Sequence, residues 1–316
     1  MGPFGPIRVS RRQRTFVKEG KPSLTAELTT FARAAESAMP EARRLCYDPL
    51  AKEFLVAPLR ILAGCRILAR IVVWWAERLA PGVPGEVLGR TKYIDDSLKT
   101  LIHQGIEQLV ILGAGYDSRA YRFDVLNPKV KVFEVDHPAT QRVKMKRVTR
   151  LLGHLPDNVV FVPVDFERER LQNRLFEKGY DSDKKTFFIW EGVTYYLTAR
   201  AVDETLAFVA DNSGVGSSVI FDYAFTKVLK GASDVGQVNR ALKAWERVGA
   251  PLTADEHFIF GVREGTIEEF LSARGFCQIE NINGDSFKTA YFKDMKQSGD
   301  VSHICGFVRA TVKPRG

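Results

Sequence analysis

The stretch LVILGAGYDSRAY, which spans Leu109–Tyr121, decides the fold class of this chain. Its apolar start predicts a buried strand, and Gly113–Gly115 ends that strand in a turn where another group can approach the backbone closely. A second strand-like run, residues 130–135, ends in Asp136. A glycine-rich turn after one strand, with an acid at the tip of the next, is typical of a doubly wound α/β fold that holds an adenosine ribose.

Strand-like and helical runs alternate along the rest of the chain. The strand-like runs cover residues 109–112, 130–135, 159–164, 186–190 and 217–222, with two more near 277–283 and 304–312. The helical runs between them cover residues 138–152, 168–178 and 199–212. This alternation predicts a Rossmann-like, doubly wound sheet of seven strands, mostly parallel, whose last strand is antiparallel.

We predict a flexible basic arm followed by a single domain that carries helical additions over one face of the sheet. The predicted parts are the arm at 1–22 and the domain at 23–316, divided into an N-terminal helical cap (23–105), a cofactor-binding core (106–223), a helical insertion on the substrate side (224–261) and C-terminal strands (262–316).

Composition indicates a globular protein. The 316 residues are 45% hydrophobic and 27% charged, with a formal net charge of +8. That charge would allow an acidic partner, but the basic residues are scattered apart from those at Arg8–Arg14, so we favour a solvated arm and expect no nucleic acid. The four cysteines form no C-x-x-C pair. We therefore expect buried thiols in a reducing cytoplasm, no disulfide framework and no metal site.

One apolar segment, Leu55–Leu79, is interrupted by charged residues too often for the roughly 20 apolar residues of a membrane span. Its charges fall on one side of a helical wheel, which predicts an amphipathic helix bounded by Pro58 and Pro81. We expect its apolar face to pack on the core or cover a pocket. Lying on a membrane surface is the alternative.

The candidate binding residues follow the strands, because ligands of such a sheet bind beyond the carboxyl ends of the strands. They are Gly113, Gly115, Asp117, Asp136, Asp165, Phe166 and Glu191. The third glycine of G-x-G-x-x-G is replaced by Ser118, and Asp117 in the same turn would repel a phosphate. These two departures favour S-adenosylmethionine, a cofactor without phosphate, over a dinucleotide.

Each polar group of that cofactor has a candidate partner. The acids at 117 and 191 could take its ammonium, and Arg90 could clamp its carboxylate. Asp136 could accept both ribose hydroxyls. Asp165 could accept from the adenine amine, with Phe166 or a backbone N–H against the ring.

Structural roles remain open for the same residues. The glycines could serve only a tight turn. Asp136 and Asp165 could each cap a following helix. Asp117 could form a local salt bridge with Arg119. For Glu191, at a strand exit, a purely structural role is harder to supply.

Five blocks of sequence resemble the leucine carboxyl methyltransferase family, particularly its bacterial relatives. They are PEARRLCYDPLAKEF, GRTKYIDD, VILGAGYDSRAYRF, VFEVDHPATQRVK and FFIWEGVTYYLT, and they occur in family order. The resemblance implies an S-adenosylmethionine-dependent methyltransferase in which Arg90 contacts the methionine carboxylate, with Arg33 and Lys92 as competing choices. It also implies that Gly113 lies under the cofactor and Asp136 binds the ribose.

The same resemblance implies that Asp165 and Phe166 line the adenine pocket and that Glu191 lies near the ammonium. We expect an O-methyltransferase acting on a carboxylate or hydroxyl of a small or medium-sized metabolite. The alternatives are a non-catalytic cofactor-binding sensor, a protein C-terminal carboxyl methyltransferase and, disfavoured by Asp117, a nicotinamide-dependent oxidoreductase. No catalytic residue is assigned. On the acceptor side, Tyr195, Tyr196 and His257 are candidates, although packing roles are more common for such residues.

Overall fold

A computed structural model describes residues 24–126, 129–166, 168–229, 258–292 and 301–314. Its centre is one seven-stranded sheet in the order β3-β2-β1-β4-β5-β7-β6. The strands are β1 (Gln108–Leu112), β2 (Lys131–Asp136), β3 (Val159–Pro163), β4 (Thr186–Trp190), β5 (Ser218–Ala224), β6 (Phe276–Ile282) and β7 (Cys305–Val312). Strands β1 and β4 are buried along their whole length, as expected for central strands covered on both faces.

The first five strands run parallel, and β7 is antiparallel to both β5 and β6. The predicted seven-stranded, mostly parallel sheet with an antiparallel last strand is therefore confirmed. Its strand order reverses at β1, with β2 on one side and β4 on the other. In such sheets the reversal opens a crevice beyond the strand ends, which is where ligands bind.

Helices cover the sheet and precede it. They are α1 (Leu24–Ser37), α2 (Ala57–Gly64), α3 (Arg66–Leu79), α4 (Val83–His103), α5 (Arg119–Arg122), α6 (Pro138–Leu152), α7 (Leu171–Glu177), α8 (Ala199–Asp211), α9 (Thr226–Leu229), α10 (Ile267–Ser272) and α11 (Gly284–Tyr291). Helix α11 was not predicted; Asn283 caps it by accepting from the Ser286 N–H. Helix α4 begins at Val83 with Pro84 in its first turn.

The predicted single helix over Leu55–Leu79 is wrong, because Cys65 has an extended backbone that separates α2 from α3. The break has a packing reason. Ala63 and Ala69 both face the same small apolar cluster, whereas six residues along one unbroken helix would separate them by roughly 120°. Phe31 of α1 and Leu59 of α2 belong to this cluster too, so the N-terminal helices have a small core of their own.

The rest of the predicted organisation is described only in part. The arm at 1–22 and most of the insertion at 224–261 lie outside the described residues. In the described part of the insertion, Phe225 forms a bridge with Val262, which places that segment beside the end of β5. The carboxyl ends of β1 to β5, where the candidate site residues lie, all belong to the described part of the chain.

Candidate active site

The glycine turn after β1 needs glycine at two positions. Gly113 has φ +65° and Gly115 has φ +41°, both in the left-handed region. A Cβ at Gly113 would also lie 2.3 Å from Val193 Cγ2, in the loop after β4. A Cβ at Gly115 would meet nothing closer than the Gly113 carbonyl oxygen at 3.7 Å, so that side of the turn is open to a ligand.

A buried ion pair supports the same turn from the side of β2. Lys144 of α6 pairs with Glu134 at 2.8 Å and donates to the carbonyl of Ala114 at 3.3 Å. Both charged side chains are almost fully buried, and burial raises the pKa of Glu134 to about 7 against the opposing effect of Lys144. On the other side, Arg33 donates to the carbonyl of Tyr116 at 2.9 Å. The turn is therefore held in one conformation by side chains from two helices.

At the tip of β2, Asp136 is already engaged with the backbone. Its two oxygens accept from the N–H groups of Gly115 at 2.5 Å and His137 at 2.6 Å. The capping residue of α6 is His137, which accepts from Ala139, so Asp136 does not cap that helix. Burial raises the pKa of Asp136 despite these two hydrogen bonds. The carboxylate is half-buried and keeps lone pairs for further donors such as hydroxyls.

Beyond β3, Asp165 and Phe166 are also half-buried. The Val164 N–H donates to the carbonyl of Asp136, which brings this loop beside the tip of β2. Asp165 lies 3.4 Å from Nε of the exposed Arg168, and Phe166 packs partly against the main core. Helix α7 begins only at Leu171, so Asp165 does not cap it. We call the tips of β2 and β3, with these side chains, the ribose half of the site.

The other side of the switch point holds a buried cluster of charged residues, which we call the charge cluster. Its members are Arg90, Asp95, Asp117, Arg119, Arg122, Glu191 and Asp222. They come from α4, from the turn and helix after β1, and from the ends of β4 and β5. Separate elements of the fold therefore meet at one point.

Arg119 is the centre of the charge cluster and is fully buried. Its Nε pairs with Asp95 at 2.7 Å. Its Nη1 pairs with Asp117 at 2.5 Å and with Glu191 at 2.7 Å. Among the described residues, Nη2 has no hydrogen-bond partner.

Arg90 lies at the edge of the charge cluster. Its Nε pairs with Glu191 at 2.7 Å and its Nη1 with Asp222 at 2.5 Å. A Cβ at Gly192, where φ is +75°, would meet only Tyr195 Oη at 3.8 Å and Arg90 Nη2 at 3.9 Å. Within the described ranges Nη2 makes no hydrogen bond, so it remains available as a donor.

Burial alone would raise the pKa of Asp117, Glu191 and Asp222, but the arginines reverse this for the first two. Arg119 and Arg90 hold the pKa of Glu191 well below its usual range, and Arg119 lowers the pKa of Asp117. Both groups are therefore carboxylates at neutral pH. For Asp222, burial outweighs the effect of Arg90 and raises the pKa.

The net charge of the cluster suits a cationic ligand. Four carboxylates (Asp95, Asp117, Glu191 and Asp222) face three guanidinium groups (Arg90, Arg119 and Arg122), which leaves one negative charge when all are ionised. S-adenosylmethionine carries a sulfonium, an ammonium and one carboxylate, and so has a net charge of +1. A dinucleotide has two phosphates, which give it a net negative charge.

Asp117 also blocks the usual phosphate position. Its Oδ1 accepts from the backbone N–H of Arg119 at 2.7 Å, at the start of the short helix α5. In dinucleotide-binding folds the free N–H groups at this helix end receive the pyrophosphate. Here the carboxylate of Asp117 occupies the N–H of Arg119 and places a negative charge at this helix end, so the residues present fit S-adenosylmethionine and do not fit a dinucleotide.

The sequence candidates occupy both halves of the site. Gly113, Gly115, Asp136, Asp165 and Phe166 lie at the tips of β1 to β3. The remaining three belong to the charge cluster, where the local salt bridge considered for Asp117 and Arg119 is present.

Of the three basic candidates, only Arg90 reaches the strand ends. Lys92 pairs with Asp96 at 2.6 Å on the outer side of α4. Arg33 pairs with Asp48 at 3.0 Å and supports the turn.

Asp95 and Asp222 were not identified from the sequence. Asp222 lies near the end of the fifth strand-like run, and the rule applied to the other strand ends would have found it. Asp95 is in the middle of α4. It lies within the block GRTKYIDD, but nothing in that block shows that this aspartate meets Arg119. Arg119 was considered only as a salt-bridge partner of Asp117, although three carboxylates depend on it.

In the loop after β4, aromatic rings gather beside Gly192. The ring centroid of Tyr195 lies 4.7 Å from that of Tyr196 and 4.4 Å from that of Phe258. The carbonyl of Tyr195 accepts from the N–H groups of residues 259 and 260, which fixes this segment to the loop. The third acceptor-side candidate, His257, lies outside the described residues.

The doubly wound sheet with an antiparallel seventh strand, together with a phosphate-excluding glycine turn, defines an S-adenosylmethionine-dependent methyltransferase. Comparison with known proteins gives the particular family. The model of the family described as "Leucine carboxyl methyltransferase" matches residues 26–210, more than half of the chain. This chain belongs to that family.

Relatives and solved structures agree with this membership. The chain is 29% identical over 244 residues to a Bacillus subtilis protein named "Putative S-adenosyl-L-methionine-dependent methyltransferase YktD", covering 77% of each. It is 30% identical over 268 residues to a protein of the same general name from Mycobacterium avium, covering 80% of this chain and 83% of the relative. A crystal structure described as a "putative methyltransferase" from Thermobifida fusca superposes with a TM-score of 0.55 at 15% identity, covering 93% and 96% of the two chains. That last likeness concerns the fold.

Proposed function

We propose that this protein transfers a methyl group to an oxygen, in a carboxylate or hydroxyl of a small or medium-sized metabolite. The observation that supports it best is the net negative charge cluster beside the aromatic rings at Gly192. It provides charge complementarity for the methionine end of the cofactor next to an apolar surface for an acceptor. The name of the family supports oxygen as the accepting atom.

We assign the binding roles by half of the site. In the ribose half, Asp136 accepts from the ribose hydroxyls, and Asp165 and Phe166 bind the adenine. Gly113 and Gly115 let the cofactor approach the turn. In the charge cluster, Arg90 donates a hydrogen bond from Nη2 to the carboxylate of the cofactor. Glu191 binds the ammonium of the cofactor, and Asp117 adds negative charge nearby.

When bound, S-adenosylmethionine supplies a methyl group already activated by the sulfonium. The residues of this chain then have to align the acceptor and exclude water, which can lower a barrier by roughly 7–11 kcal/mol. The buried arginine–carboxylate pairs fix the methionine end in one position before an acceptor arrives. A carboxylate acceptor needs no general base, because it is already ionised at neutral pH.

The test begins with calorimetry. We expect the protein to bind S-adenosylmethionine and not NAD; binding of NAD alone would refute the assignment of the site. The second step is incubation with methyl-labelled cofactor and a fractionated metabolite extract, with an Arg90→Gln variant as the control for non-enzymatic labelling.

Label in a small molecule supports the proposal, and its loss in mild base identifies a methyl ester rather than an ether. Label on a protein C-terminus would instead indicate a protein carboxyl methyltransferase. A cofactor that binds tightly but leaves every acceptor unlabelled would indicate a sensor.

A further inference from the structure

Helices α2 and α3 present an exposed apolar surface that the folded core does not use. We call it the outer face. It consists of Ile61, Ile67, Leu68, Ile71, Trp74 and Trp75, which are between 40% and 71% exposed. Large apolar side chains that stay exposed as a contiguous group mark an interaction surface.

The orientation of α3 is the reverse of that of an ordinary surface helix. Its inward side carries small or short side chains, with Ala69 buried and Val72 and Val73 packed on the N-terminal core. Its outward side carries Ile67, Ile71 and Trp74, spaced by four and three residues along one stripe. The expectation that the apolar side of this segment packs inward is therefore wrong for its largest residues.

Arginines surround the outer face. Between Ala57 and Leu79 there are four arginines (Arg60, Arg66, Arg70 and Arg78) and one acid, Glu77. Glu77 accepts from the N–H of Gly82 in the turn that follows α3. Arg78 lies over the ring of Trp74, 4.6 Å from its centroid. Arg60 lies 3.9 Å from Glu53. The outer face is thus apolar at its centre, and Arg66, Arg70 and Arg78 give it its positive charge.

This charge distribution decides between possible occupants. A second copy of this chain would bring a second set of the same arginines to the contact. The N-terminal arm is itself basic at Arg8–Arg14 and has the same sign. An anionic bilayer provides both an apolar phase for the isoleucines and phosphates for the arginines, and tryptophan prefers the boundary between the two.

We propose that the outer face is an interfacial anchor, by which the protein binds the surface of a bilayer that contains anionic phospholipid. Ile67, Ile71 and Trp74 enter the boundary between headgroups and acyl chains, and Arg66 and Arg70 contact phosphates. This is binding to a surface only, since no helix in the described ranges is long and apolar enough to cross a membrane. The inference does not depend on the identity of the methyl acceptor.

Sedimentation of the full-length protein with vesicles tests the proposal. We expect binding to vesicles of phosphatidylcholine mixed with phosphatidylglycerol, weaker binding at high salt, and little binding to phosphatidylcholine alone. Brominated lipids should quench the fluorescence of Trp74 and Trp75, and a Trp74→Phe/Trp75→Phe variant should lose most of that quenching. The buried Trp190 should be unaffected.

Variants assign the binding to the outer face. Ile67→Glu/Ile71→Glu should weaken partitioning at least about tenfold, and Arg66→Gln/Arg70→Gln about fivefold for each arginine. Val215→Glu is the matched control, because Val215 is 82% exposed in the loop before β5 and lies in no such cluster. All these positions are exposed, so the variants should fold and keep their affinity for the cofactor.

Several results would overturn the proposal. One is no binding to anionic vesicles at low salt. Another is binding that survives both double variants but disappears when the arginines of the arm are replaced, which would assign the interaction to residues 1–22. A third is self-association without lipid that Ile67→Glu abolishes, which would make the outer face a contact between copies.

Discussion

At the tips of β2 and β3 the site is built from main-chain hydrogen bonds and half-buried side chains. Beyond β1, β4 and β5 it is built from seven charged side chains, of which five belong to buried residues and those of Arg122 and Glu191 are largely buried. In the ribose half, Asp136 accepts from the N–H of His137, the next residue, and from the N–H of Gly115 in the turn after β1. In the charge cluster, Arg119 is held by carboxylates from α4, the glycine turn and the end of β4.

The ribose half and the charge cluster differ in how strongly the contribution of one residue depends on its neighbours. The ribose half consists of local contacts that would survive the loss of one neighbour. In the charge cluster, each buried charge is tolerated only because its partners are present. Removal of one side chain leaves its partners buried, without the opposite charge that compensates for their lost hydration. We therefore expect large and shared effects in the charge cluster and small, separable ones in the ribose half.

The largest effect should follow replacement of Arg119. Arg119→Gln leaves Asp95, Asp117 and Glu191 buried with too little positive charge, and should lower the free energy of unfolding by about 3–5 kcal/mol. Urea denaturation measures it. The matched control is Arg200→Gln, at an exposed pair with Glu204, which should change stability by no more than about 0.5 kcal/mol. Equal losses in the free energy of unfolding in Arg119→Gln and Arg200→Gln would show that the charges of the cluster do not depend on one another.

The glycine turn comes next. Gly113→Ala combines a left-handed backbone with a contact against Val193, and should cost about 2–4 kcal/mol and prevent cofactor binding. Gly153→Ala is the control: Gly153 has φ +80° at the end of α6 and nothing within 4 Å of a built Cβ, so only about 1 kcal/mol should be lost. Adding Val193→Ala to Gly113→Ala should recover part of the difference. If it recovers none, the contact with Val193 is not the cause.

Glu86 extends the charge cluster and gives it a pH dependence. It is buried on α4, one turn before Arg90, and burial raises its pKa to about 7 against the opposing effect of that arginine. Since the folded state favours the protonated form, its ionisation destabilises the fold progressively as pH rises from about 4.5 to about 7. Glu86→Gln should therefore gain stability over the natural protein across that range, by on the order of 3 kcal/mol at pH 8. A difference that is constant with pH would show that Glu86 is ionised in the fold.

The smallest effects should be those on ligand binding. Two ligands, adenosine and S-adenosylhomocysteine, should distinguish the two halves of the site. Asp136→Asn should weaken both adenosine and S-adenosylhomocysteine about tenfold, through lost hydrogen bonds to the ribose. Arg90→Gln should weaken S-adenosylhomocysteine by about tenfold to thirtyfold and leave adenosine unchanged, because adenosine has no carboxylate. Calorimetry with the two ligands measures both. Weakened adenosine binding in Arg90→Gln would mean that the halves are not independent.

The fold was largely predictable, because central parallel strands are continuous apolar runs and each ends in a recognisable turn. The run before Gly113 and the run before Asp136 mark two neighbouring strands with few alternatives. The break at Cys65 was not predicted. Gly64 stands directly before it, but a single Gly is tolerated inside a helical pattern, and the cause of the break is the shape of a core formed with α1. Helix α11 follows a capping Asn283 in a short segment whose apolar pattern is weak.

The site was predictable where it follows the strand-end rule and not where it depends on tertiary contacts. Asp136, Asp165 and Glu191 were found because they directly follow strands. The pairing of Arg119 with Asp95 joins residues 24 positions apart on different elements, and the sequence does not show which carboxylate an arginine will meet. The outward orientation of Ile67 and Trp74 has the same cause: amphipathicity defines two sides of a helix but not which one meets the core.

Because Val193 lies close to Gly113, a movement of the loop after β4 would change the surroundings of the glycine turn. Val193 lies against the turn that receives the cofactor, and two residues later the carbonyl of Tyr195 holds the segment at 259–260. An acceptor that shifts the loop after β4 would move Val193 relative to Gly113, and a cofactor that sets the turn would set the loop. Any such linkage is reciprocal, so the change in acceptor affinity caused by the cofactor must equal the change in cofactor affinity caused by the acceptor.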